Sequence, residues 1–313
     1  MSEPLIAVFR GGVSPEREVS LGSGAAALES LRRSFPHVID CEISDRSIPE
    51  GIVAGRHVVF TTLHGVFGED GGMQALLEER GIAYCGCDAI SSRRCFNKDE
   101  TRRIAARAGV PVARGTFARR DDFRRSEEIF SEFGSHVVVK PNCQGSSVGL
   151  AFVESPEGLA RRLSEADGDG CIVEERIDGR EITVGVLDGL ALGVVEIRPK
   201  SGPFDYANKY TKGRTEYFVP APLDVATTAS IRRHAETAFA WCGCRDFARA
   251  DFIVGPNGPV FLELNTLPGL KETSLLPMSA RSEGLDFEAL VRRMILPAID
   301  RNRRPIAAGA ARR

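Results

Sequence analysis

Residues 247–265, FARADFIVGPNGPVFLELN, constrain the fold of this 313-residue chain more than any other stretch. They read as two strands, 247–254 and 260–265, joined by a Gly-Pro-Asn-Gly turn. Side chains alternate along a strand, so Arg249 and Asp251 share one face of the first strand and Glu263 and Asn265 share one face of the second. Pairing Val254 with Val260 across a five-residue loop sets Asp251 opposite Glu263 and Arg249 opposite Asn265. A slip of one residue would send the two pairs to opposite faces. Facing carboxylates repel unless a cation lies between them, and with an amide beside them the oxygen donors suit Mg²⁺. A surface hairpin with solvated charges is the competing reading of the same spacing.

The remaining composition sets limits. The chain is 42% hydrophobic and 27% charged with a net charge of −2, the profile of a globular protein long enough for two or three domains. That balance lacks the clustered basic excess that nucleic-acid backbones attract, so no nucleic-acid partner is expected. The start, MSEPLIAVFRGG, has neither a basic leader nor a long apolar run, and no membrane segment is expected; the reading is cytoplasmic. Eight cysteines include the pairs Cys85/Cys87 and Cys242/Cys244, whose spacing is not that of a zinc knuckle. Buried free thiols are the expectation.

Upstream, PLIAVFR forms a strand running into GGVSPEREVSLGSG, where Ser14 can cap a helix, Pro15 fits its first turn, and Glu16 and Glu18 favour the positive end of its dipole. A strand, Gly-Gly and helix in succession mark the ligand edge of a doubly wound α/β domain, but neither a dinucleotide fingerprint nor a Walker-type phosphate loop occurs. A second strand, HVVFTTLHG at 57–65, carries His64 past its carboxyl end, as a structural or a binding residue. GIAYCGCDAI, 81–90, reads as the last strand of this domain, and a helix containing Lys98 follows. HVVVKPNCQGSSVGLAFVES gives two strands around a Gly-Ser loop that either wraps a phosphate next to Lys140 or is a plain polar turn. Further on come CIVEERIDGREITVGVLDG as two strands, the Tyr- and Lys-rich loop 203–222, a helix over 223–242, the loop NTLPGLKETSLLP and a final helix DFEALVRRMILPAIDRN.

Taken in order, the segments GGVSPEREVSLGSG, LHGVFGEDGGMQALLEERGIAYCG, NKDETR, VVVKPNCQGSSVGL, FDYANKYTKGRTEYFVPA, RADFIV and LELNTLPGLKETSLLP resemble the D-alanine–D-alanine ligases of the ATP-grasp superfamily. The resemblance implies an α/β fold, α+β in its C-terminal two-thirds: an ATP-grasp fold with an N-terminal doubly wound parallel-sheet domain over 1–90. A central ATP-grasp subdomain would span 91–176 and a C-terminal one, carrying the hairpin, 177–313. It implies a cytoplasmic enzyme, commonly a homodimer, that uses ATP to join two D-alanines for peptidoglycan precursors. Relatives that make D-alanyl-D-lactate or D-alanyl-D-serine are the alternative.

By the same resemblance, Asp251, Glu263 and Asn265 would hold two Mg²⁺ or Mn²⁺ ions. Lys98, Lys140, Lys209 and the loop around Ser147 would meet the ATP phosphates. Glu174, Glu181 and the strand edge through Glu175 and Ile177 would take adenine and ribose. Glu16 and His64 would bind the first D-alanine, and Ser274 with the N–H of Leu275 the carboxylate of the second. Arg249 and the N–H of Gly269 would form the oxyanion site, and Tyr210 and Ser146 would complete a hydrogen-bond chain with Glu16. The intact Lys209-Tyr210 pair favours a dipeptide product over an ester. Departures from the family pattern are Asn142-Cys143-Gln144 ahead of Gly145, Arg176 beside the adenine strand, and cysteines at 85 and 87.

Overall fold

A computed structural model describes residues 4–134, 136–145, 148–200 and 213–303. Its first sheet is parallel, ordered β2-β1-β3-β4, from Leu5–Gly11 (β1), Val38–Ile43 (β2), His57–Thr61 (β3) and Ala83–Tyr84 (β4). Both faces are covered, which is why residues 5–9 of β1 are an unbroken apolar run. Ile6, Val8, Val58 and Phe60 face one core, shared with the helix Arg17–Ser34 (α1) and the C-terminal helix. Ala7, Phe9 and Val59 face another, shared with Met73 and Leu77 of Gly72–Glu79 (α2). Helices on both faces of a parallel sheet are the doubly wound arrangement expected of this region.

Two local expectations fail here. Ser14 does not cap α1: its hydroxyl donates to the His64 carbonyl at 2.6 Å and accepts from the Glu16 N–H at 3.2 Å. The helix starts at Arg17 with Glu16 at its N-cap, and the Glu16 side chain makes no bond back to the helix. The strand expected over 81–90 is shorter, because Gly86 turns the chain at φ +95° and Asp88 accepts from Ser91 N–H at 2.8 Å to start a helix at Ala89–Phe96 (α3). Asn97 caps the next helix, Lys98–Arg107 (α4).

The second sheet is antiparallel, ordered β5-β8-β6-β7, from Gly115–Ala118 (β5), Val137–Pro141 (β6), Ala151–Val153 (β7) and Cys171–Glu175 (β8). Helices Ser126–Phe133 (α5) and Pro156–Ser164 (α6) close its core through Ile129, Phe133, Leu159 and Leu163. The third sheet, also antiparallel, joins Arg180–Leu187 (β9), Leu190–Pro199 (β10), Thr215–Phe218 (β11), Phe247–Gly255 (β12) and Gly258–Asn265 (β13) in the order β11-β10-β9-β12-β13. Val225–Trp241 (α7) packs on it through Ile231, Ala235 and Phe239. Leu275–Arg281 (α8) lies on the opposite side, and Phe287–Arg303 (α9) returns to the first sheet.

The hairpin β12–β13 has the carboxylate register expected but reaches it differently. Arg249 faces Asn265 and Asp251 faces Glu263, yet Val254 pairs with Pro259 rather than Val260 and Gly255 with Gly258. The turn is therefore two residues, Pro256 and Asn257, and a bulge at Leu262 shifts the register back by one. On the far face Phe252 and Phe261 meet edge-to-face at 5.6 Å and 71°, a contact worth about 1 kcal/mol beyond burial, which pins the hairpin against its core.

All eight cysteines are free, five of them buried. Burial pushes the Cys171 thiol up to about 11, so it is protonated at neutral pH.

Candidate active site

Two cavities flank the hairpin. The larger, about 580 Å³, is lined by Glu16, His64, Glu69, Arg249, Asn265, Gly269, Ser274 and Leu275, among others. The smaller, about 150 Å³, lies between the second and third sheets and is lined by Lys140, Glu174, Glu175, Ile177, Glu181 and Asp251. Lys98, Gln144 and Glu263 belong to both, so the cavities meet at the end of β13. The bulge lets Leu262 and Glu263 both line the smaller cavity, where strict alternation would have turned one of them away.

At that junction the charges come in pairs. Arg249 grips Asp251 with two bonds, Nε to Oδ1 at 2.9 Å and Nη2 to Oδ2 at 2.6 Å. Burial disfavours the guanidinium charge, but pairing with Asp251 more than compensates, and the Arg249 pKa is raised. Thr183, fully buried on β9, donates its hydroxyl to Asp251 Oδ1 at 2.6 Å. Lys98 Nζ lies 3.5 Å from Glu263 and also donates to the Gln144 carbonyl, at the start of the Gly-Ser loop. Lys140 Nζ donates to Glu174 Oε2 at 2.7 Å, and Arg102 stands 3.8 Å from the same carboxylate. The Asn265 side-chain oxygen accepts from the Leu267 N–H at 2.9 Å, fixing the amide and the loop after it.

Two facing carboxylates and an amide oxygen form a hard-oxygen donor set whose charge is balanced by Arg249 and Lys98, and such a set fits Mg²⁺ or Mn²⁺. Among the described residues no three His, Cys, Asp or Glu side chains converge on a common metal position. A cation here would complete its shell with water and phosphate oxygens, as Mg²⁺ commonly does.

The wall of the larger cavity is built from α1 and the end of β3. Glu16, Val19 and Ser23 recur at helical spacing on one face of α1. His64 is buried, its Nδ1 3.1 Å from Glu69 Oε1 and its Nε2 3.4 Å from Ser23 Oγ. Ser23 Oγ in turn accepts from the Leu270 N–H at 3.2 Å, joining the first sheet to the loop after the hairpin. A Cβ at Gly145 would sit 3.3 Å from Glu16 Oε2 and 3.5 Å from Glu69 Oε2, so both carboxylates reach the Gly-Ser loop. Gly65, at φ +72°, is more tightly enclosed: a Cβ there would fall 2.9 Å from Glu16 Oε2 and from Ser14 Cβ. Ser274 occupies the N-cap position of α8 without capping it, and a Cβ at Gly269 would lie 3.0 Å from its hydroxyl.

The structure thus brings together Glu16, His64, Lys98, Arg249, Glu263, Asn265, Gly269, Ser274 and Leu275 around one cavity, and Lys140, Glu174, Glu175, Ile177, Glu181 and Asp251 around the other. Glu175 spends its side chain on Arg114, accepting from the backbone N–H at 3.0 Å and from Nε at 2.8 Å. Arg176 turns over the Phe152 ring at 5.2 Å on the rim of the smaller cavity. Ser146, Ser147, Lys209 and Tyr210 lie outside the described residues.

Four residues were missed in the sequence: Ser23, Glu69, Thr183 and Tyr217. Glu69 could have been found as a carboxylate five residues after His64 in the same loop, and Ser23 from its helical spacing to Glu16. Thr183 and Tyr217 carried no such signal. Tyr217 reaches the larger cavity from β11, its pKa raised by burial.

Comparison with known proteins agrees with this architecture. The family model described as D-ala D-ala ligase C-terminus matches residues 104–296. A D-alanine–D-alanine ligase from Methylacidiphilum infernorum is 39% identical over 293 residues, 93% of this chain and 94% of the relative. Among solved structures, a D-alanine–D-alanine ligase from Bacillus anthracis complexed with ATP superposes with a TM-score of 0.82 at 28% identity, covering 96% of this chain and 99% of that one. The VanG D-Ala:D-Ser ligase from Enterococcus faecalis gives 0.80 at 29% identity, covering 94% and 99%.

Proposed function

The chain belongs to the D-alanine–D-alanine ligase family, and from that premise we propose that it condenses two D-alanines into a dipeptide while ATP is converted to ADP and phosphate. The observation that carries the reading is the meeting of two cavities at Lys98 and Glu263, with the Asp251/Glu263 pair and Arg249 beside it. A nucleotide in the smaller cavity would present its terminal phosphate to an amino acid in the larger one.

A carboxylate oxygen is a poor leaving group and phosphate a good one. The first D-alanine is therefore activated by attack of its carboxylate on the γ-phosphorus, with ADP leaving. The amine of the second D-alanine then adds to the acyl carbon and loses a proton, and the tetrahedral intermediate expels phosphate. There is little covalent work for side chains in these steps, so catalysis is positioning plus charge stabilisation.

On this reading Glu174 and Glu181 take the adenine amino group and ribose hydroxyls, with the strand edge at Glu175 and Ile177 alongside. Lys98, Lys140, Lys209 and the Ser147 loop offset phosphate charge. Asp251, Glu263 and Asn265 would hold two Mg²⁺ or Mn²⁺ ions, which when bound would neutralise phosphate oxygens and make the γ-phosphorus more electrophilic. Glu16 accepts the ammonium of the first D-alanine, and the His64–Glu69 pair lies by its carboxyl group. Arg249 and the Gly269 N–H stabilise the oxyanion, while Ser274 and the Leu275 N–H hold the second carboxylate. Tyr210 and Ser146 would complete a hydrogen-bond chain with Glu16 that keeps out water able to hydrolyse the acyl phosphate; of the 203–222 segment expected to be a loop, residues 215–218 are instead strand β11.

The units 1–90, 91–176 and 177–313 would then contribute the amino-acid wall, one face of the nucleotide cleft and the hairpin. A homodimer in the cytoplasm supplying peptidoglycan precursors is the setting this activity fits. Phosphate release with D-alanine, L-alanine, D-serine and D-lactate as separate acceptors tests the assignment. D-Alanine should be fastest; a faster rate with D-lactate at neutral pH would replace the dipeptide by an ester, and one with D-serine would change the acceptor.

A further inference from the structure

Among the described residues, Lys271 is the one cation of the larger cavity that the proposed machinery leaves without a task. It lies in the turn between β13 and α8, which is anchored on both sides: Leu270 N–H donates to Ser23 Oγ at 3.2 Å, and Ser274 N–H donates to the Lys271 carbonyl at 2.7 Å. Its side chain lies flat on the backbone of α1 at Gly22, where a Cβ would fall 2.2 Å from Lys271 Cε and 2.9 Å from Nζ. Glycine in the middle of a helix is unfavourable, and here it clears the path by which the lysine reaches the cavity. Lys98, Lys140 and Arg249 are each held by a carboxylate, whereas the Lys271 ammonium makes no hydrogen bond or ion pair among the described residues. Ser274, on the same wall, has a hydroxyl that does not cap its helix.

We propose that Lys271 is the counter-charge for the carboxylate of the second amino acid and sets the enzyme's demand for a carboxylate on its acceptor. This rests on the ligase reading above. Ser274 Oγ and the Leu275 N–H are neutral donors, and the cavity that would receive the acceptor is also lined by Glu16, Glu69 and Glu263. A carboxylate entering from water into such surroundings loses hydration and meets like charge, so neutral donors alone hold it poorly. A lysine on a flexible stem, already directed across α1 and unclaimed among the described residues, supplies the missing charge.

The experiment compares ADP release with D-alanine and with D-alaninamide, which lacks the acceptor carboxylate, in wild type, Lys271→Met, Lys271→Arg and Gly22→Ala. Lys271→Met should raise KM for the second D-alanine about tenfold, the scale of one hydrogen bond to a charged group. KM for the first D-alanine, for ATP and for D-alaninamide should stay within twofold, and Lys271→Arg should recover most of the loss. Gly22→Ala keeps or raises the thermal midpoint, since alanine is the better helix former. It should nevertheless shift the second KM in the same direction, because its Cβ occupies the place of Lys271 Cε, and it should add nothing in the Lys271→Met background. An unchanged second KM in Lys271→Met, equal losses with D-alanine and its amide, or additive effects of the two substitutions would overturn the assignment. A wild-type protein that releases no ADP with any D-amino acid overturns the ligase reading and this proposal together, and is told apart by that silence.

Discussion

The two cavities differ in how they treat their own charges. In the smaller cavity, proposed for the nucleotide, and at its junction the described cations Lys140, Lys98 and Arg249 are already engaged, with Glu174, Glu263 and Asp251 in turn. In the larger cavity the Ser274 hydroxyl is unclaimed by its own helix and the Lys271 ammonium is unpaired among the described residues. The first arrangement is internally neutralised, so on the proposed reading phosphates and cations would bind by exchanging partners rather than by meeting bare charge. The second is open and on the same reading would recognise a small substrate by its few charged groups. Asp251 is where this contrast breaks most severely. Asp251→Asn removes charge needed for a metal and leaves the Arg249 guanidinium, with 12% side-chain exposure, without its carboxylate. Turnover should fall on the order of 10³-fold, the equivalent of about 4 kcal/mol of lost charge stabilisation. Phosphate release under saturating ATP and D-alanine measures it, and wild-type-like kcat would refute the assignment of Asp251 as a metal ligand.

Arg249 links the two regions, lining the larger cavity while its guanidinium is paired with Asp251 of the smaller one. Arg249→Ala should lower kcat on the order of 10²-fold, the scale for an oxyanion donor, with KM for ATP changed far less. If KM for ATP rose while kcat held, Arg249 would belong to the nucleotide side alone.

The contrast also explains what the sequence could convey. Asp251, Glu263, Arg249 and Asn265 were legible because a strand's period of two puts them on one face and facing carboxylates demand a reason. The bulge at Leu262 was not, since Gly-Pro-Asn-Gly permits a wide loop or a tight turn, and the choice is made by Phe252 and Phe261 packing on the far face. The sheets followed from apolar runs and turn residues, but Ser14 followed a local capping rule that lost to the His64 carbonyl, 50 residues away in sequence. Thr183 is silent for the same reason: a threonine in a strand is ordinary until another strand brings Asp251 to its hydroxyl. Lys271 carries no pattern at all, and only Gly22 beneath it gives it a direction.

Thr183 therefore offers a finer cut on the nucleotide side. Thr183→Val keeps the shape and the β-branch but removes the donor that orients Asp251 Oδ1. The Mg²⁺ concentration giving half-maximal rate should rise about tenfold, the lower end for losing a partner of a metal ligand, with kcat at saturating Mg²⁺ falling less. An unchanged Mg²⁺ dependence would mean that Arg249 alone holds Asp251 in place.

The smallest effect asks whether neutralised and open charges differ before any ligand arrives. Lys140 and Glu174 have side-chain exposures of 17% and 8%, so Lys140→Met buries a carboxylate with its nearer partner gone. Breaking such a pair outright costs about 3–5 kcal/mol, but Arg102 remains 3.8 Å from Glu174 and should hold the loss to about 2 kcal/mol. For a chain of this size that is a fall of several degrees in thermal midpoint without ligands. Lys271→Met removes the same charge from the open side, where no neighbour depends on it, and should leave the midpoint within about 1 °C, as surface changes of under about 0.5 kcal/mol do. Calorimetry on the two variants, without nucleotide or amino acid, separates the cases. Equal midpoints would mean that the Lys140–Glu174 pair is worth no more to the fold than a solvated lysine, and that the nucleotide cavity is as open as its neighbour.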